Sequence, residues 1–474
     1  MVFPRPKKLD FPTANMKILH LSTCDNFGGA ARAAYRQHLA LRGAGIDSRM
    51  LVRHKHTDDP HVRVFTGNHN LPSRVERTLR RAWIHRLEKQ SRAKGIGGLT
   101  DPRADLLRFA VQEMADADII NIHKTEHFAD IPALLASLTA DKPVVITLHD
   151  LSPITGGCDY PGGCERFTNA CGACPMLDSK EENDYSRKIF RMRQAAYGTR
   201  LPENFAFVVN SRWTLDNIKR SWLAKGVRAE LVHLALDQNV YQPGNRAVAR
   251  EALGIGADEA VICFGAHDMG YKHKGGAQLA EALAGLKSNA SIHLLTMGSG
   301  RISAPPQFKH THFGRIESDS LQSLIYRAAD VFVIPSLEEA FGQTALEAVA
   351  CGTVVAGFAV GGIVDIVQND LNGLLVVRGD SNALGHAIIR LLKDEILRVR
   401  WRESCEIWVK ERFSFDRNAT AYRALYESLL ATSTKAESQT RGQKPGSKSG
   451  RWKMNFYFCF LFSIFQLLIT ASDC

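Results

Sequence analysis

Short runs of β-branched and apolar residues alternate with helical patterns along this chain, and the alternation occurs in two sets. The candidate strands of the first set are residues 17–22, 48–53, 118–122, 143–148 and 205–210. Those of the second set are residues 260–265, 291–297, 330–335, 353–357 and 373–377. Strands that alternate with helices usually form βαβ units, whose strands pair in parallel. The sequence therefore predicts an α/β fold with two Rossmann-like, doubly wound domains.

A polar stretch that ends in Pro243-Gly244 separates the two sets of strands. We therefore expect one Rossmann-like domain over residues 16–237 and a second over residues 238–410. Residues 1–15 lack the apolar core of a secretory signal, and we expect them to be a disordered extension.

The composition is that of an ordinary globular protein, because 45% of the 474 residues are apolar and 23% are charged. It excludes a collagen, a mostly disordered chain and a small disulfide scaffold. The formal net charge of +11 is concentrated in two segments. Residues 73–94 carry eight basic and two acidic residues, and residues 435–453 carry six basic residues and one acidic residue. The remainder is close to neutral, which argues against a nucleic-acid partner and favours contact of the two segments with an anionic membrane surface.

The basic segment 73–94 has the pattern of an amphipathic helix that begins with a capping box, formed by Ser73 and Glu76. Its apolar residues recur every fourth position as one stripe, which consists of Val75, Leu79, Trp83 and Leu87. Two interpretations remain open. The segment is either a surface helix packed on its own domain, or a helix that contacts a membrane surface or an acceptor.

The C-terminal region is expected to be a disordered basic linker over residues 431–453, followed by an apolar tail over residues 454–474. Within the tail, the fourteen residues from Phe456 to Ile469 include only two polar ones. Fourteen helical residues span ~21 Å, which is less than a hydrocarbon core of ~30 Å. A tail that inserts partly into a membrane and an accidental extension of the reading frame both remain possible.

The clearest chemical pattern lies between residues 335 and 352, where a buried strand is followed by a loop and then by a helix. In doubly wound folds ligands bind at the carboxyl ends of the strands. The backbone N–H groups around Gly342 would therefore face a phosphate at the N-terminus of the helix. Glu347 lies about one turn into this helix, within reach of ribose hydroxyls, and Glu339 can reach a second hydroxylated ring. The pattern suits a nucleotide-sugar, although an ordinary strand-loop-helix with exposed acids would look the same.

These two acids resemble the E-x7-E motif of the retaining GT-B glycosyltransferases of family 4. Further stretches that resemble the family's pattern are Ser22–Ala30, Met297–Gly300, Gly314–Ile316, Ala328–Ser336, Gly361–Ile363 and Asn372–Val376. The resemblance covers about residues 16–430. It implies a GT-B fold in which the N-terminal domain binds the acceptor, the C-terminal domain binds the nucleotide-sugar across a cleft, and a helix within residues 411–430 returns to the N-terminal domain.

The resemblance also implies which residues form the site. The residues expected to bind the substrate are Gly28, Gly29, Lys272, Gly298, Phe341, Gly342, Gln343, Thr344 and Glu347. Those expected to be catalytic are His149, Glu339 and Lys274. His149 follows the strand 143–148 and matches a histidine that the family places near the donor sugar. The resemblance further implies front-face attack without a covalent intermediate, so that no dedicated nucleophile is expected.

The departing nucleoside diphosphate gains negative charge, which a cation must meet. In the family an Arg and a Lys of the loop after the first C-terminal strand do so. Lys274-Gly275 matches the Lys element here, but the Arg is missing. Lys272 or His267 is expected to take the place of this Arg. The alternative for Lys272 is that it is an ordinary solvated lysine of the loop.

Asp116-Ala117-Asp118 imitates the metal-binding D-x-D motif of another glycosyltransferase fold. It precedes a predicted strand, so it lies at the N-terminal edge of the sheet, opposite the expected cleft. We therefore expect a reaction that requires no metal or other cofactor.

Four of the ten cysteines fall within 17 residues, in the pattern Cys158-x5-Cys164-x6-Cys171-x2-Cys174. Cys171-x2-Cys174 is a usual half-site for tetrahedral zinc, and the surrounding Gly/Pro-rich loop suits wrapping around an ion. In a reducing cytosol a structural zinc is favoured over disulfides, and free thiols are the third possibility. Loops of this kind resemble those of some bacterial polysaccharide glycosyltransferases, and this one is expected to shape the acceptor side.

The resemblance, together with these patterns, implies a retaining hexosyltransferase that moves a sugar from a UDP- or GDP-linked donor to a glycan or lipid-linked acceptor in cell-surface polysaccharide biosynthesis. The expected location is cytoplasmic, as a peripheral protein at the inner face of the membrane. Two alternatives remain: another GT-B enzyme, such as a nucleotide-sugar epimerase or a phosphorylase, and a catalytically silent member that acts as a binding or assembly partner.

Overall fold

The computed structural model describes residues 16–67, 71–92, 98–286 and 291–441. Its strands are β1 (Lys17–Cys24), β2 (Asp47–His54), β3 (Val62–Val64), β4 (Ile119–Ile122), β5 (Val144–Thr147), β6 (Phe205–Val209), β7 (Arg228–Leu231), β8 (Ala260–Asp268), β9 (Ile292–Ser299), β10 (Lys309–His312), β11 (Val331–Ile334), β12 (Val354–Phe358) and β13 (Gly373–Val376). Its helices are α1 (Gly29–Gly43), α2 (Leu71–Arg92), α3 (Gln112–Asp116), α4 (Ile131–Ser137), α5 (Tyr185–Tyr197), α6 (Arg212–Arg220), α7 (Arg246–Ala252), α8 (Gly276–Ala284), α9 (Asp319–Ala328), α10 (Gln343–Ala350), α11 (Ile363–Ile366), α12 (Ser381–Lys393), α13 (Glu395–Arg412) and α14 (Phe415–Arg441).

The strands form two parallel sheets. The first has the order β3-β2-β1-β4-β5-β6-β7, and the second has the order β10-β9-β8-β11-β12-β13. In each sheet the chain starts near the middle, runs to one edge and then returns to extend the other edge. This is the Rossmann order, whose ligand site lies where the direction of winding reverses, here at β1/β4 and at β8/β11. The predicted architecture of two doubly wound sheets is confirmed.

All ten predicted strands are present, with ends that differ from the predictions by no more than three residues. The structure adds β3, β7 and β10, which the sequence analysis missed. Each lies at the edge of its sheet and carries an exposed basic residue, which is Arg63, Arg228 or Lys309. A short edge strand needs no continuous apolar run, because only part of its surface is covered.

The central strands are apolar throughout because helices cover both faces of each sheet. All residues of β5, β6 and β11 are buried. Helices on both faces leave the carboxyl ends of these strands and the loops that follow them as the accessible part of each sheet.

The chain separates into a compact unit of residues 1–433, which contains both sheets, and a second unit of residues 434–474. Within the first unit, α14 packs Tyr422 and Tyr426 against the first sheet, although α14 follows the second sheet in the chain. The hydroxyl of Tyr426 accepts a hydrogen bond from Asn121 Nδ2 at 2.8 Å. The last helix therefore ties the C-terminal part of this unit to the first sheet.

The predicted disorder from residue 431 is wrong for its first part, because α14 continues to Arg441. Residues 431–441 contain no glycine or proline, so each added residue extends an existing helix at little cost. The remainder of the predicted linker, the apolar tail 454–474 and the predicted extension 1–15 lie outside the described residues.

The basic segment is helical, as predicted, but α2 begins at Leu71, before the predicted capping residue. The side chains of Ser73, Glu76 and Leu87 lie outside the described part of the chain. Interpretation of the stripe rests on the other three residues: Val75 is 52% exposed, Leu79 66% and Trp83 43%. The stripe is therefore not what packs α2 on its domain, and the choice between the two interpretations of this segment stays open.

Instead, α2 is held on the domain by Ile84, which is buried, and by arginines. Arg80 forms an ion pair with Asp130, and Arg81 forms one with Asp105 at 2.8 Å. Of the stripe, Val75 and Leu79 face solvent, whereas the Trp83 ring lies against the Arg103 guanidinium, 4.2 Å from ring centre to guanidinium carbon. Among the described residues no helix combines the length and the apolar character required to cross a membrane.

Candidate functional site in the cleft between the two sheets

Two helices begin at a glycine beside the same cavity. α1 begins after Gly28, whose φ is +87°, and α10 begins after Gly342, whose φ is +102°. Neither helix has an acidic residue in its first turn. The positive ends of both helix dipoles are therefore free to attract an anion. Gln343 at the start of α10 donates to the carbonyl oxygen of Gly29 at 2.8 Å and links the two helix ends.

The cleft contains two adjoining cavities, of about 710 and 800 Å³ with their open mouths included. Both share Gly29, His267, Gln343 and Thr344 as lining residues. Together they can hold a ligand that has two distinct parts.

The cavities bring most of the predicted site residues together. The first cavity is lined by Gly28, Gly29, Gly298, Gln343, Thr344 and Glu347. The second is lined by Gly29, His149, Lys274, Glu339, Phe341, Gly342, Gln343 and Thr344. Lys272 is exposed and lines neither cavity, so it does not supply the second positive charge there.

Lys274 and Glu339 form an ion pair in the second cavity, with 2.6 Å between Nζ and Oε2. Their side chains are only 20% and 12% exposed. The loop of Lys274 follows β8 and the loop of Glu339 follows β11, so the pair lies at the point where the winding of the second sheet reverses. Gly275 brings the two loops together: a Cβ there would lie 1.7 Å from the carbonyl oxygen of Pro335.

The second acid, Glu347, is buried and already engaged by other side chains. Its Oε1 accepts from Arg36 Nη2 at 2.9 Å, and its Oε2 accepts from the hydroxyl of Tyr326 at 3.1 Å. Arg36 belongs to α1, so this ion pair joins the two halves of the unit. The sequence analysis placed Glu347 at the site but did not identify Arg36 as its partner, because the two residues lie 311 positions apart.

Arg315 provides a cation in the first cavity that the sequence analysis did not recognise. Its guanidinium carbon lies 4.8 Å from the centre of the Phe27 ring, and its Nη2 lies 3.2 Å from His267 Nε2. Burial and the nearby Arg315 charge lower the pKa of His267. His267, one of the two predicted substitutes for the missing Arg, therefore lines the cavity but tends to be neutral. Arg315 is the charged residue beside it. Its position within the Gly314–Ile316 stretch was the available signal.

His149 is the end of a row of three hydrogen-bonded histidines. Its Nε2 lies 2.9 Å from His123 Nδ1, and His123 Nε2 lies 2.9 Å from His20 Nδ1. Burial lowers the pKa of all three imidazoles, that of His149 to about 4, so the row is neutral near pH 7. Each neutral ring donates at one nitrogen and accepts at the other.

The free end of this row indicates the direction of the hydrogen bonds. His20 Nε2 is buried and has no hydrogen-bond partner. A buried N–H without an acceptor is less tolerable than a bare lone pair, so His20 carries its proton on Nδ1. His123 then carries its proton on Nδ1 and donates to His149. His149 therefore accepts at Nε2 and carries its own proton on Nδ1.

Asp116 and Asp118 lie beside the start of β4, as the sequence predicted. Asp118 accepts from the backbone N–H of Lys17, the first residue of β1, at 2.8 Å. This contact lies at the amino ends of β1 and β4, on the side away from the cleft.

The four clustered cysteines line one small cavity next to α5, and all four are free thiols. In the described ranges, no three His, Cys, Asp or Glu side chains already have an arrangement that fits a metal ion. A metal site built from these thiols therefore requires the cysteine side chains to move from the positions that they have here.

Comparisons with known proteins agree with this architecture. Residues 245–408 match the family model described as Glycosyl transferases group 1. The chain is 31% identical over 241 residues to D-inositol 3-phosphate glycosyltransferase of Saccharomonospora viridis, a match that covers 47% of this chain and 56% of that protein. The corresponding protein of Geodermatophilus obscurus is 32% identical over 226 residues, which cover 44% of this chain and 50% of that protein. The chain thus spans about half the length of the curated relatives it matches.

Two solved structures are similar over their full length. Sucrose-phosphate synthase from Thermosynechococcus elongatus has a TM-score of 0.57 at 21% identity, and the match covers 88% of this chain. Anabaena HepE in complex with UDP and glucose has a TM-score of 0.58 at 16% identity and covers 90% of this chain. The chain has the GT-B fold of these proteins, and the family match supports a group 1 glycosyltransferase, with its signal in the half that contains the second sheet.

Proposed function

We propose that this chain is a retaining glycosyltransferase of family 4, which transfers a hexose from a UDP- or GDP-linked sugar to a glycan or lipid-linked acceptor. The observation that carries the proposal is the Lys274–Glu339 ion pair in the cleft, beside two helix N-termini without acidic residues. A cation and two positive helix ends suit a diphosphate, and an adjacent carboxylate suits the hydroxyls of a sugar.

In this proposal the diphosphate lies between the starts of α1 and α10, and the sugar occupies the second cavity. Bond cleavage leaves negative charge on the departing phosphate oxygen, which Lys274 and Arg315 stabilise. Glu339 orients the sugar through its hydroxyls and holds Lys274 in place. His149, neutral and protonated on Nδ1, is positioned to donate a hydrogen bond to the sugar or to the incoming hydroxyl.

The comparisons support the choice of donor. HepE was solved with UDP and glucose, and also with UDP-glucose. Because those structures share only the fold with this chain, UDP is the first donor nucleotide to test and GDP the second. The acceptor is proposed to belong to cell-surface polysaccharide biosynthesis, on the strength of the resemblance alone.

We further propose that α2 contacts the inner face of a membrane, which would bring the site to a lipid-linked acceptor. The exposed Val75, Leu79 and Trp83 are accompanied on the same helix by the exposed basic residues Arg74 and Arg86. Apolar side chains beside cations are the pattern of helices that lie in the interface of anionic bilayers.

The donor test is a thermal-shift screen of UDP, GDP and their hexose derivatives, followed by NMR of the product. A donor nucleotide should raise the melting temperature by mass action, and the product should retain the anomeric configuration of the donor. Release of the nucleoside diphosphate without an acceptor would favour the epimerase alternative. Formation of a sugar 1-phosphate from a glycan and inorganic phosphate would favour the phosphorylase alternative. No turnover of any bound donor would favour a silent binding protein.

The membrane test is sedimentation with vesicles of neutral or anionic lipid. The full chain should bind anionic vesicles only, and Leu79→Glu should weaken binding while leaving donor affinity unchanged. Val248→Glu, at an exposed apolar position on α7, is the matched control. Equal binding of all three proteins would refute the assignment to α2.

A further inference from the structure

The segment from Gly156 to Pro175 folds around its own cysteines. Cys158, Cys164, Cys171 and Cys174 all line one cavity, and Cys171 and Cys174 are each only 9% exposed. Four thiols of this segment thus line a single cavity, and no disulfide links them.

The backbone at Cys171 and the next two residues has an unusual conformation that directs this convergence. Cys171, Gly172 and Ala173 have φ values of 50°, 106° and 40°. Residues other than glycine rarely adopt such values, and each costs of order 1–3 kcal/mol, so the surrounding structure must compensate. A Cβ on Gly172 would lie 2.2 Å from the carbonyl oxygen of Glu182, which shows how tightly the turn is packed.

A backbone N–H group is directed at one of the sulfur atoms: the N–H of Gly156 donates to Cys171 Sγ at 3.1 Å. Donors of this kind stabilise negative charge on sulfur, and a thiolate is the form that binds a metal.

We propose that Cys158, Cys164, Cys171 and Cys174 bind one structural zinc ion. Zinc takes four thiolate ligands in a tetrahedral site, and a C-x2-C pair on a tight turn is a common half of such a site. Binding replaces the four thiol protons, which leave to solvent. The N–H donor at Cys171 Sγ favours the thiolate that binds the ion. Zinc binding also supplies free energy that offsets the strain of the turn.

The ion would stiffen a segment that reaches across the cleft. Between the first two cysteines, the ring of Tyr160 packs on His273 with 4.6 Å between ring centres. The N–H of Gly162 donates to the Glu338 carboxylate at 3.1 Å. His273 and Glu338 are neighbours of Lys274 and Glu339, so the zinc loop would hold one wall of the second cavity.

The test begins with the full-length chain, purified under reducing conditions without added chelator. Native mass spectrometry should show one zinc ion per chain, and an organomercurial that blocks thiols should release it. After removal of zinc, Co²⁺ should give the strong visible bands of a tetrahedral thiolate site. Hydrogen exchange of residues 156–175 should be faster without metal and slow again when Zn²⁺ is restored.

The double variant Cys171→Ser/Cys174→Ser should bind neither ion, whereas Cys24→Ser, which alters a cysteine of β1, should bind both. If the double variant does not fold, the measurements on the unaltered chain still decide whether the protein binds zinc through thiolates. A chain that is purified without metal and, when reduced, shows no cobalt bands would overturn the proposal. So would two disulfides among the four cysteines, detected by mass spectrometry without reduction. Neither result bears on glycosyl transfer, which the donor screen tests separately.

Discussion

Lys274 Nζ lies 2.6 Å from Glu339 Oε2, so the two charged groups predicted to act on different parts of the donor form one unit. Each group fixes the position of the other, and both line the same cavity. A ligand that enters this cavity meets a cation and a carboxylate that are already oriented, which lowers the cost of organising the site during reaction.

The first prediction concerns this pair. Lys274→Met and Glu339→Gln should each lower kcat by ~100-fold, the size expected for the loss of one charged partner in a closed site. Because the residues act as a unit, the double variant should lose much less than the product of the two effects. Lys272→Met, two positions away and exposed, is the control and should retain near-normal turnover. Wild-type kcat in either single variant would show that the pair is not part of the catalytic site.

The second prediction concerns the charge that replaces the missing arginine. Arg315→Gln should lower kcat/KM for the donor by ~10–100-fold, since a hydrogen bond to a charged group contributes ~1.5–3 kcal/mol. Nucleoside diphosphate affinity, measured by calorimetry, should fall as well. Arg301→Gln, which removes an exposed arginine from a neighbouring segment, should change neither quantity. If Lys272→Gln weakened donor binding and Arg315→Gln did not, the charge would belong to Lys272.

The third prediction concerns the histidine row. ¹⁵N NMR of the imidazoles should show that His149 carries its proton on Nδ1 near pH 7. His123→Phe removes the donor that orients His149 and should lower kcat by ~10–100-fold, with a smaller effect on KM. His85→Gln on α2 is the control, because that imidazole is exposed and distant in sequence from the row. Protonation of His149 on Nε2 would reverse the direction that we assign to the row.

The fourth prediction concerns the ion pair between Arg36 and Glu347, whose side chains are 6% and 5% exposed. Arg36→Met leaves the Glu347 carboxylate buried without its cation, and it should lower the free energy of unfolding by ~3–5 kcal/mol. Urea denaturation measures this change. Arg49→Met breaks an exposed pair with Asp47 and should cost less than ~1 kcal/mol. Equal effects of the two variants would contradict the importance of the Arg36 pair.

The fifth prediction concerns stability and pH. Burial lowers the pKa of His38, His149 and His273 to about 4. The ordinary pKa of histidine is about 6.5. Between this pH and pH 4, these histidines bind protons in the unfolded chain but stay neutral in the folded chain. Stability should therefore fall as the pH decreases through this range, by up to ~1.4 kcal/mol per pH unit for a fully buried histidine. Urea midpoints across this range measure the slope. His38→Asn should flatten it, and His386→Gln, at an exposed position, should not.

The sequence was sufficient for the regular part of the fold. A strand that is covered on both faces must be apolar along its whole length, so β5, β6 and β11 are visible as local patterns. The position of a parallel strand also predicts where its carboxyl end lies. Residues directly after strands, such as His149 and Glu339, could therefore be assigned to the carboxyl edges of their sheets. That the two edges face one cleft was implied by the resemblance to the GT-B glycosyltransferases.

The sequence alone thus determined two doubly wound sheets and which residues lie at the carboxyl ends of their strands, because burial and chain direction act over a few residues. Only the tertiary structure decided which side chains meet there. Arg36 and Glu347 lie 311 positions apart. Arg315, in the loop after β10, meets Phe27 of the loop after β1 and His267 of β8. Whether a cation is free or paired depends on distance and burial in the folded chain. No local spacing of residues specifies either quantity.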